Sequence, residues 1–331
     1  MTPVMNTKNL TGYAAAQQGA AFFTLPGAGY LRVSGEDQAS FLQRQTTHDI
    51  RLLQPGRALL SVLTSSTARI LDVFYLLREP GSIGAITLPG LSERTARFLK
   101  SRIFFNDKVV VEDLSDQFAQ LDLLSPHASQ ILAEMGVESV PAANEVIMAQ
   151  VGSAEVHILA TEPSAGMGFR LVTPASAAAD VEAAFQGWGA VRLNAETYDI
   201  LRIEAGLPAA GHELTENYTP LETGLEVAIS DSKGCYTGQE IIARQITYDK
   251  VTQHLRGLRL ESMVKPGERV WGEDKPAGAL TSVANSPRFG CIALAVLKRA
   301  YNQPGTSLKI GPHSETGISA VVVPLPFQDR E

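Results

Sequence analysis

The sequence predicts an α+β protein built mostly from antiparallel sheets, and three features of its patterning predict it. In the N-terminal third, strand-like segments accumulate before helices appear, unlike the strict β-α alternation of a doubly wound parallel sheet. Between about residues 108 and 190, amphipathic helices sit among strand-like runs in the manner of a ferredoxin-like β-α-β-β-α-β unit. After Val251 no helical period remains, and short strands alternate with Pro-Gly and Gly turns, which is the pattern of a small β-barrel.

The elements follow in order. Tyr30–Val33 reads as a strand, and Ser34-Gly35-Glu36-Asp37 as a helix start with Ser34 at the N-cap. Ala58–Thr64 and Arg69–Leu77 are β-rich, and a Pro80-Gly81 turn leads into Ile83–Leu88. Ser92 then caps a helix carrying Phe98 and Leu99. Val109–Val111, Gln120–Leu124, Val156–Ala160 and Phe169–Thr173 supply the strands of the middle segment. Its first helix runs from Ser125-Pro126 to Gly136, with cap, N1 proline and C′ glycine in place. Its second opens at Thr173-Pro174 and sets Val181, Ala184, Phe185 and Trp188 at helical spacing. Another helix runs from an Asn194 cap to Gly206 and enters the polar stretch Leu207–Lys233. The barrel strands are Leu255–Leu260, Arg269–Trp271, Ala279–Val283, Ile292–Leu297 and Ile318–Val323. The expected division is an N-terminal region of residues 20–107 with 191–250, a middle domain of 108–190, and a barrel of 251–331.

Composition bounds the function. A chain of 331 residues can bury roughly three quarters of its unfolded surface without staples. At 44% hydrophobic and 19% charged it is neither disordered nor low-complexity. No apolar run is long enough to span a bilayer, and no basic-then-apolar leader is visible, so the expected compartment is the cytoplasm, with no membrane partner. A net charge of −7 disfavours nonspecific nucleic-acid binding. Cys235 and Cys291 are the only cysteines, too few to staple the fold or to hold a zinc ion or iron–sulfur cluster alone. The six histidines show no i, i+4 pair, so no metal site is expected. Gly27-Ala28-Gly29 lacks the rest of a dinucleotide fingerprint, and Ser230-Asp231-Ser232-Lys233 lacks the companion elements of an acylase.

The densest chemistry lies in Lys233-Gly234-Cys235-Tyr236-Thr237-Gly238-Gln239-Glu240-Ile241-Ile242-Ala243-Arg244. Its glycines permit positive φ and close backbone approach, and a helix starting at Gly238 or Gln239 offers free N–H groups beside a thiol. Lys233 and that helix end would make the thiol a better nucleophile. The bland alternative is a small buried cysteine in a tight turn. Upstream, Glu204, Glu213, Glu216 and Glu222 lie in a segment of little apolar periodicity. They read first as a solvated acidic loop, and second as a source of one buried carboxylate for the N–H edge of a flat heterocycle.

These residues carry a family resemblance. The pattern Lys-Gly-Cys-Tyr-x-Gly-Gln-Glu-x-x-Ala-Arg at 233–244 resembles the hallmark of the YgfZ family, folate-binding relatives of the glycine-cleavage T-protein, an aminomethyltransferase. Arg202-x-Glu204-Ala205-Gly206-x-Pro208, Pro220-Leu221-Glu222, and Arg32–Asp37 with Phe41-Leu42-Gln43 and Gln45-Thr46 extend the resemblance over residues 28–260. It implies a ring of three domains, with a ferredoxin-like middle domain and a C-terminal β-barrel, around bound tetrahydrofolate or a one-carbon folate derivative. By resemblance, Glu222 meets the pterin, while Lys233, Tyr236, Gln239, Glu240 and Arg244 line the remainder and Cys235 is the reactive group. T-proteins carry paired aspartates in a Leu-Asp-Asp context. Here Leu71-Asp72-Val73 retains one, so Asp72 is a weak catalytic candidate.

The first functional expectation is therefore a tetrahydrofolate-binding accessory protein that serves iron–sulfur enzymes or assembly proteins. The alternative is a folate-dependent aminomethyl or methyl transferase. The third is a tRNA-modification factor, for which the basic stretch 233–259 speaks while the acidic total charge weighs against direct tRNA binding.

Overall fold

A computed structural model describes residues 7–162, 164 and 167–329. The chain forms two compact units, one of residues up to Asn194 with Val227–Gln239, the other of Ala195–Glu226 with Glu240 onward. Three segments were expected. Residues 20–194 fall in the first unit by contacts, and 195–226 with 240–250 fall in the second with the barrel strands.

In chain order the first unit contains α1 (Thr7–Gln18), β1 (Ala21–Thr24), β2 (Gly29–Ser34), α2 (Gln38–Gln45), β3 (Ala58–Thr64), β4 (Ile70–Glu79), β5 (Ser82–Thr87), α3 (Ser92–Lys100) and β6 (Val110–Asp113). Then come β7 (Phe118–Ser125), α4 (Ala128–Glu134), β8 (Val146–Val151), β9 (Ala154–Thr161), β10 (Met167–Pro174), α5 (Ala178–Gly187) and β11 (Val191–Arg192). Strands β2–β6 form an antiparallel five-stranded sheet in the order β3-β4-β5-β2-β6. The period-2 alternation of these strands gives each face its own apolar set. Leu31, Val33, Leu63, Phe74 and Leu76 pack under Phe41 and Leu42 of α2 and Ala96 and Leu99 of α3. On the opposite face Tyr30, Leu77 and Ile86 pack against Leu159 and Val172 of a second sheet. That six-stranded sheet, ordered β11-β1-β7-β10-β9-β8, presents Phe22, Leu123, Phe169 and Leu171 on its far side to Leu132 of α4 and Val181 and Phe185 of α5. The unit is thus four layers deep: helices, sheet, sheet, helices.

The ferredoxin-like expectation holds with two additions. Strands β7, β9, β10 and β11 take the ferredoxin-like order, but β1 is inserted between β11 and β7, and β8 extends the far edge. The strand expected at Val109–Val111 does not join this sheet; as Val110–Asp113 it pairs with β2. Helix starts moved as well. Ser34 ends β2 and α2 begins at Gln38, because Gly35 turns the chain at φ +107° and Asp37 spends its carboxylate on the Lys108 N–H at 2.9 Å. Ser125 ends β7, and its hydroxyl accepts from the His127 N–H ahead of α4. Trp188, placed by the sequence at helical spacing with Val181 and Phe185, lies half exposed just beyond α5.

The second unit opens with α6 (Ala195–Glu204), and α7 (Gln239–Thr247) enters it from Glu240. Strands β12 (Gln253–Leu260), β13 (Arg269–Gly272), β14 (Lys275–Ser286), β15 (Gly290–Lys298), β16 (Ser307–Ile310) and β17 (Ile318–Val323) close into a barrel in the order β12-β15-β14-β13-β16-β17. Leu258, Val270, Leu280, Ala293, Ala295, Leu308 and Val322 fill it. The unbroken apolar run Ile292–Leu297 is buried on both faces, since α6 packs outside β14 and β15. The acidic stretch is only partly a solvated loop: Glu216 is exposed, but Glu204, Glu213 and Glu222 are buried. Arg202 of α6 donates to Glu213 at 3.1 Å, to Asp199 at 2.6 Å and to the Ser282 hydroxyl of β14 at 2.7 Å, and Ser282 donates to Glu213 at 2.6 Å. Glu204 accepts from the Ser286 hydroxyl. The Arg-x-Glu motif therefore rivets α6 to the barrel wall.

Removing one partner of a buried pair leaves an uncompensated charge. Arg202→Leu is expected to destabilise the protein by about 3–5 kcal/mol, read from denaturant unfolding followed by far-UV circular dichroism. A loss below about 1 kcal/mol, the exposed-pair range, would show that Glu213 finds another partner.

Candidate functional site

In the first unit the motif segment is seated on the C-terminal end of α2. A helix end leaves carbonyls without intrahelical partners, and Lys233 supplies them. Its buried ammonium donates to the carbonyls of Gln43 at 2.8 Å, Thr46 at 2.5 Å and His48 at 2.9 Å. The same ammonium lies 4.9 Å from the centre of the Tyr236 ring. An ammonium has three protons to give, and these carbonyls take them all. Burial lowers Lys233 from the ordinary lysine range to about 8, so it stays mostly protonated at neutral pH. Burial likewise holds the His48 ring below its ordinary value, with the Lys233 charge adding to the effect, and His48 Nδ1 accepts the Asp49 N–H at 2.8 Å.

The rest of the segment is clamped on either side. Thr47 donates its hydroxyl to the Ala228 carbonyl at 2.6 Å and accepts the Ser230 N–H on its own carbonyl at 3.1 Å. The Thr237 N–H reaches the Arg44 carbonyl at 3.2 Å, and the Thr237 carbonyl accepts from the Thr64 hydroxyl at 2.6 Å. Gly238, at φ +85°, lies against the β3–β4 turn so closely that a Cβ would stand 2.7 Å from the Ser65 carbonyl oxygen. Only glycine fits there. Tyr236 is buried, and burial lifts its hydroxyl to about 12. Between these anchors Gly234 and Cys235 stand exposed.

Asp72 is placed elsewhere. It lies on the β4 face that looks toward α2 and α3, fully buried. Oδ1 accepts from the N–H groups of Val73 at 2.8 Å and Leu88 at 3.0 Å, and Oδ2 from the Thr95 hydroxyl of α3. Burial, opposed by those hydrogen bonds, pushes its carboxyl up from 3.8 to about 7. Val73, the next residue of β4, points to the opposite face by strand alternation.

In the second unit Glu222 closes a short 3₁₀ turn, Pro220–Glu222. Its Oε2 accepts the Thr219 N–H at 2.9 Å, as in a capping box, and Oε1 accepts the Thr252 hydroxyl at 3.4 Å. Gln245 of α7, missed in the sequence, reaches the same turn: its Nε2 donates to the Thr219 hydroxyl at 3.2 Å. The Gln245 Oε1 atom is buried and has no hydrogen-bond partner among the described residues. Its only signal in the sequence is its position directly after Arg244. Glu240 and Arg244 pair with each other at 2.6 Å on the exposed side of α7, an i, i+4 arrangement of small energetic weight. Gln239 is partly buried at the start of that helix. The structure thus joins Lys233 to Tyr236 and Glu240 to Arg244, and places Glu222 with Thr219 and Gln245. Among the described residues no group of three or more His, Cys, Asp or Glu side chains could hold a metal ion.

Residues 6–233 match the GCVT N-terminal domain, and residues 253–329 match the glycine cleavage T-protein C-terminal barrel domain. A chloroplastic protein of Arabidopsis thaliana, named provisionally as a transferase, is 29% identical over 96% of this chain and 73% of its own length. An aminomethyltransferase of Listeria monocytogenes is 28% identical, covering 96% of this chain and 89% of the relative. One from Saccharopolyspora erythraea is 29% identical, over 99% and 92%. The crystal structure of the glycine cleavage system aminomethyltransferase T from Bartonella henselae superposes with a TM-score of 0.84 at 22% identity, covering 97% of this chain and 89% of that one. The shared fold includes the closed barrel of β12–β17.

Two substitutions test these placements. Lys233→Met leaves three carbonyls without their charged donor and is expected to cost about 2–4 kcal/mol in urea unfolding; a neutral result would remove the cap from the account. Asp72 titrates above its ordinary 3.8, so its protonated form contributes stability that is complete below about 4 and lost as pH rises through about 7. Asp72→Asn keeps the hydrogen-bonding shape without the charge. The wild-type urea midpoint is expected to fall relative to this variant between about pH 4 and pH 8, whereas parallel profiles would mean the carboxylate is stabilised in its ionised form.

Proposed function

Because the chain belongs to the glycine cleavage T-protein family, whose aminomethyltransferases use tetrahydrofolate, we propose that it is a tetrahydrofolate-binding accessory protein of the YgfZ kind, supporting the assembly or repair of iron–sulfur clusters in other enzymes. The observation that carries this reading is the 233–238 loop. Lys233, Tyr236, Thr237 and Gly238 are committed to holding it, and Cys235 is displayed to solvent from it.

The residues fit the ligand by their donor chemistry. A buried carboxylate at Glu222 suits the N–H edge of a pterin, which offers adjacent donors to two oxygens. Arg244, exposed in the same unit as Glu222, offers a cation for the acidic tail. Lys233 serves by positioning the loop, since its protons are taken by the end of α2. Gln239 and Glu240 stand at the start of α7 beside these groups in sequence. Bound tetrahydrofolate supplies a nitrogen pair able to carry a one-carbon unit.

A second reading, folate-dependent aminomethyl transfer, is favoured by the nearly full-length similarity to named aminomethyltransferases. It requires Asp72 to act on the ligand. The three hydrogen bonds that Asp72 accepts from Val73, Leu88 and Thr95 speak against that role, as does the valine next to it. A role in tRNA modification is third, supported by the basic stretch 233–259 alone. No helix among the described residues is long and apolar enough to cross a membrane, and one relative is chloroplastic, so the compartment is left open.

One set of measurements separates these readings. In cells deprived of the native protein, Cys235→Ala is expected to fail to restore the activity of iron–sulfur enzymes while its tetrahydrofolate affinity stays within about threefold of wild type. Glu222→Gln is expected to weaken tetrahydrofolate binding by about 30-fold or more, from the roughly 2–4 kcal/mol of a buried charged hydrogen-bond pair. Full function of the alanine variant would sink the thiol role. Methylene-tetrahydrofolate formed from aminomethyl donors, and lost in Asp72→Asn, would establish the transferase instead.

A further inference from the structure

Gln245 is 9% exposed, and its side-chain oxygen has no hydrogen-bond partner among the described residues. Native interiors rarely leave a buried amide oxygen without a donor, and an exception calls for an explanation such as a binding role. The surroundings narrow the choice. The amide nitrogen is anchored on the Thr219 hydroxyl at 3.2 Å, and the N–H of that same Thr219 is bonded to Glu222 Oε2 at 2.9 Å. One residue therefore ties together a buried carboxylate and a buried, unsatisfied amide oxygen, which makes this a corner rich in acceptors. Its natural complement is a group with more N–H protons than a carboxylate alone can take.

We propose that Gln245 contacts the ligand and sets specificity for the 2-amino-pyrimidine edge of a reduced pterin, its side-chain carbonyl working beside the Glu222 carboxylate. The inference rests on the folate reading above and adds to it a residue outside the 233–244 motif. The proton count supports the pairing. A 2-amino-4-oxopyrimidine edge presents one ring N–H and two exocyclic N–H protons. A carboxylate gripping that edge with both oxygens accepts the ring proton and the nearer exocyclic one. The remaining exocyclic proton needs a third acceptor, and a neutral amide oxygen supplies it without a second negative charge.

Tetrahydrofolate and its 2-desamino analogue, titrated into the full-length protein and followed by calorimetry, test this. Wild type is expected to prefer tetrahydrofolate by about tenfold or more, since a site built to bond a polar group rejects a ligand lacking it. Gln245→Met removes the acceptor at similar volume. It is expected to weaken tetrahydrofolate binding by about tenfold, to shrink the preference over the analogue to about threefold or less, and to leave the melting temperature unchanged or raised. A lowered melting temperature with unchanged affinity and preference would make Gln245 structural and overturn the proposal. Gln245→Asn, which withdraws the carbonyl by one methylene, is expected to show the same loss should the methionine variant fail to fold. Equal wild-type affinity for both ligands overturns the proposal without any variant. Absence of tetrahydrofolate binding by wild type would overturn the folate reading itself, and this inference with it.

Discussion

The first unit's part of the candidate site depends on one ammonium group at the end of one helix. Lys233 meets the carbonyls of Gln43, Thr46 and His48, and the segment from Val227 to Gln239 can lie where it does because that contact exists. The magnitudes say what the contact is for. Each charge-assisted hydrogen bond contributes about 1.5–3 kcal/mol, while desolvating an ammonium costs several kcal/mol, so the net gain to stability is modest. The gain in definition is large, because an ammonium above three converging carbonyls has one low-energy place to be. A planar guanidinium would not match three carbonyls converging on a point, which is why lysine and arginine are not interchangeable here.

Once that point is set, the neighbouring motif residues follow from it. Tyr236 lies under the charge, Thr237 is held between Arg44 and Thr64, and Gly238 is small enough to touch the β3–β4 turn. Four of the six residues from Lys233 to Gly238 are thus spent on architecture. A similar economy governs the second unit, where Arg202, Glu213 and Ser282 join α6 to β14 through polar contacts buried from water. Buried ionic networks are weak contributors to stability and stronger ones to uniqueness of packing in some systems. Here the network fixes the direction in which the chain leaves α6 toward the turn that carries Glu222.

Much of the fold was legible because strands announce themselves by alternation. Ala58–Thr64 and Ile318–Val323 were read to the residue, and the barrel was evident from its Pro-Gly punctuation. Partner choice was not legible. Val110–Asp113 has the composition of a strand but nothing to say which sheet it joins, and β1 and β11 are too short to stand out beside their neighbours. Helix caps were misplaced where a serine had a competing use, as Ser34 did in β2 and Ser125 in β7. The burial of Glu204 and Glu213 escaped a reading that takes polar composition for solvent exposure. Their partners Ser282 and Ser286 lie far along the chain, so local pattern held no trace of them. Gln245 escaped for a related reason: an unsatisfied atom is a property of the packed state and has no sequence signature.

Strand parity carries the remaining question about chemistry. Successive side chains on β4 face opposite sides of the sheet, so Asp72 and the residue at 73 cannot serve the same layer. Asp72 faces the helices, where Thr95 and the Leu88 N–H hold it. A second carboxylate at 73 would have faced the other way, toward the layer that contains Tyr75 and Leu77. Residues 72 and 73 are therefore not interchangeable positions: one serves the helix layer and the other the layer between the sheets. The Asp72 hydrogen bonds join β4 to α3, while Val73 turns toward the apolar layer between the two sheets.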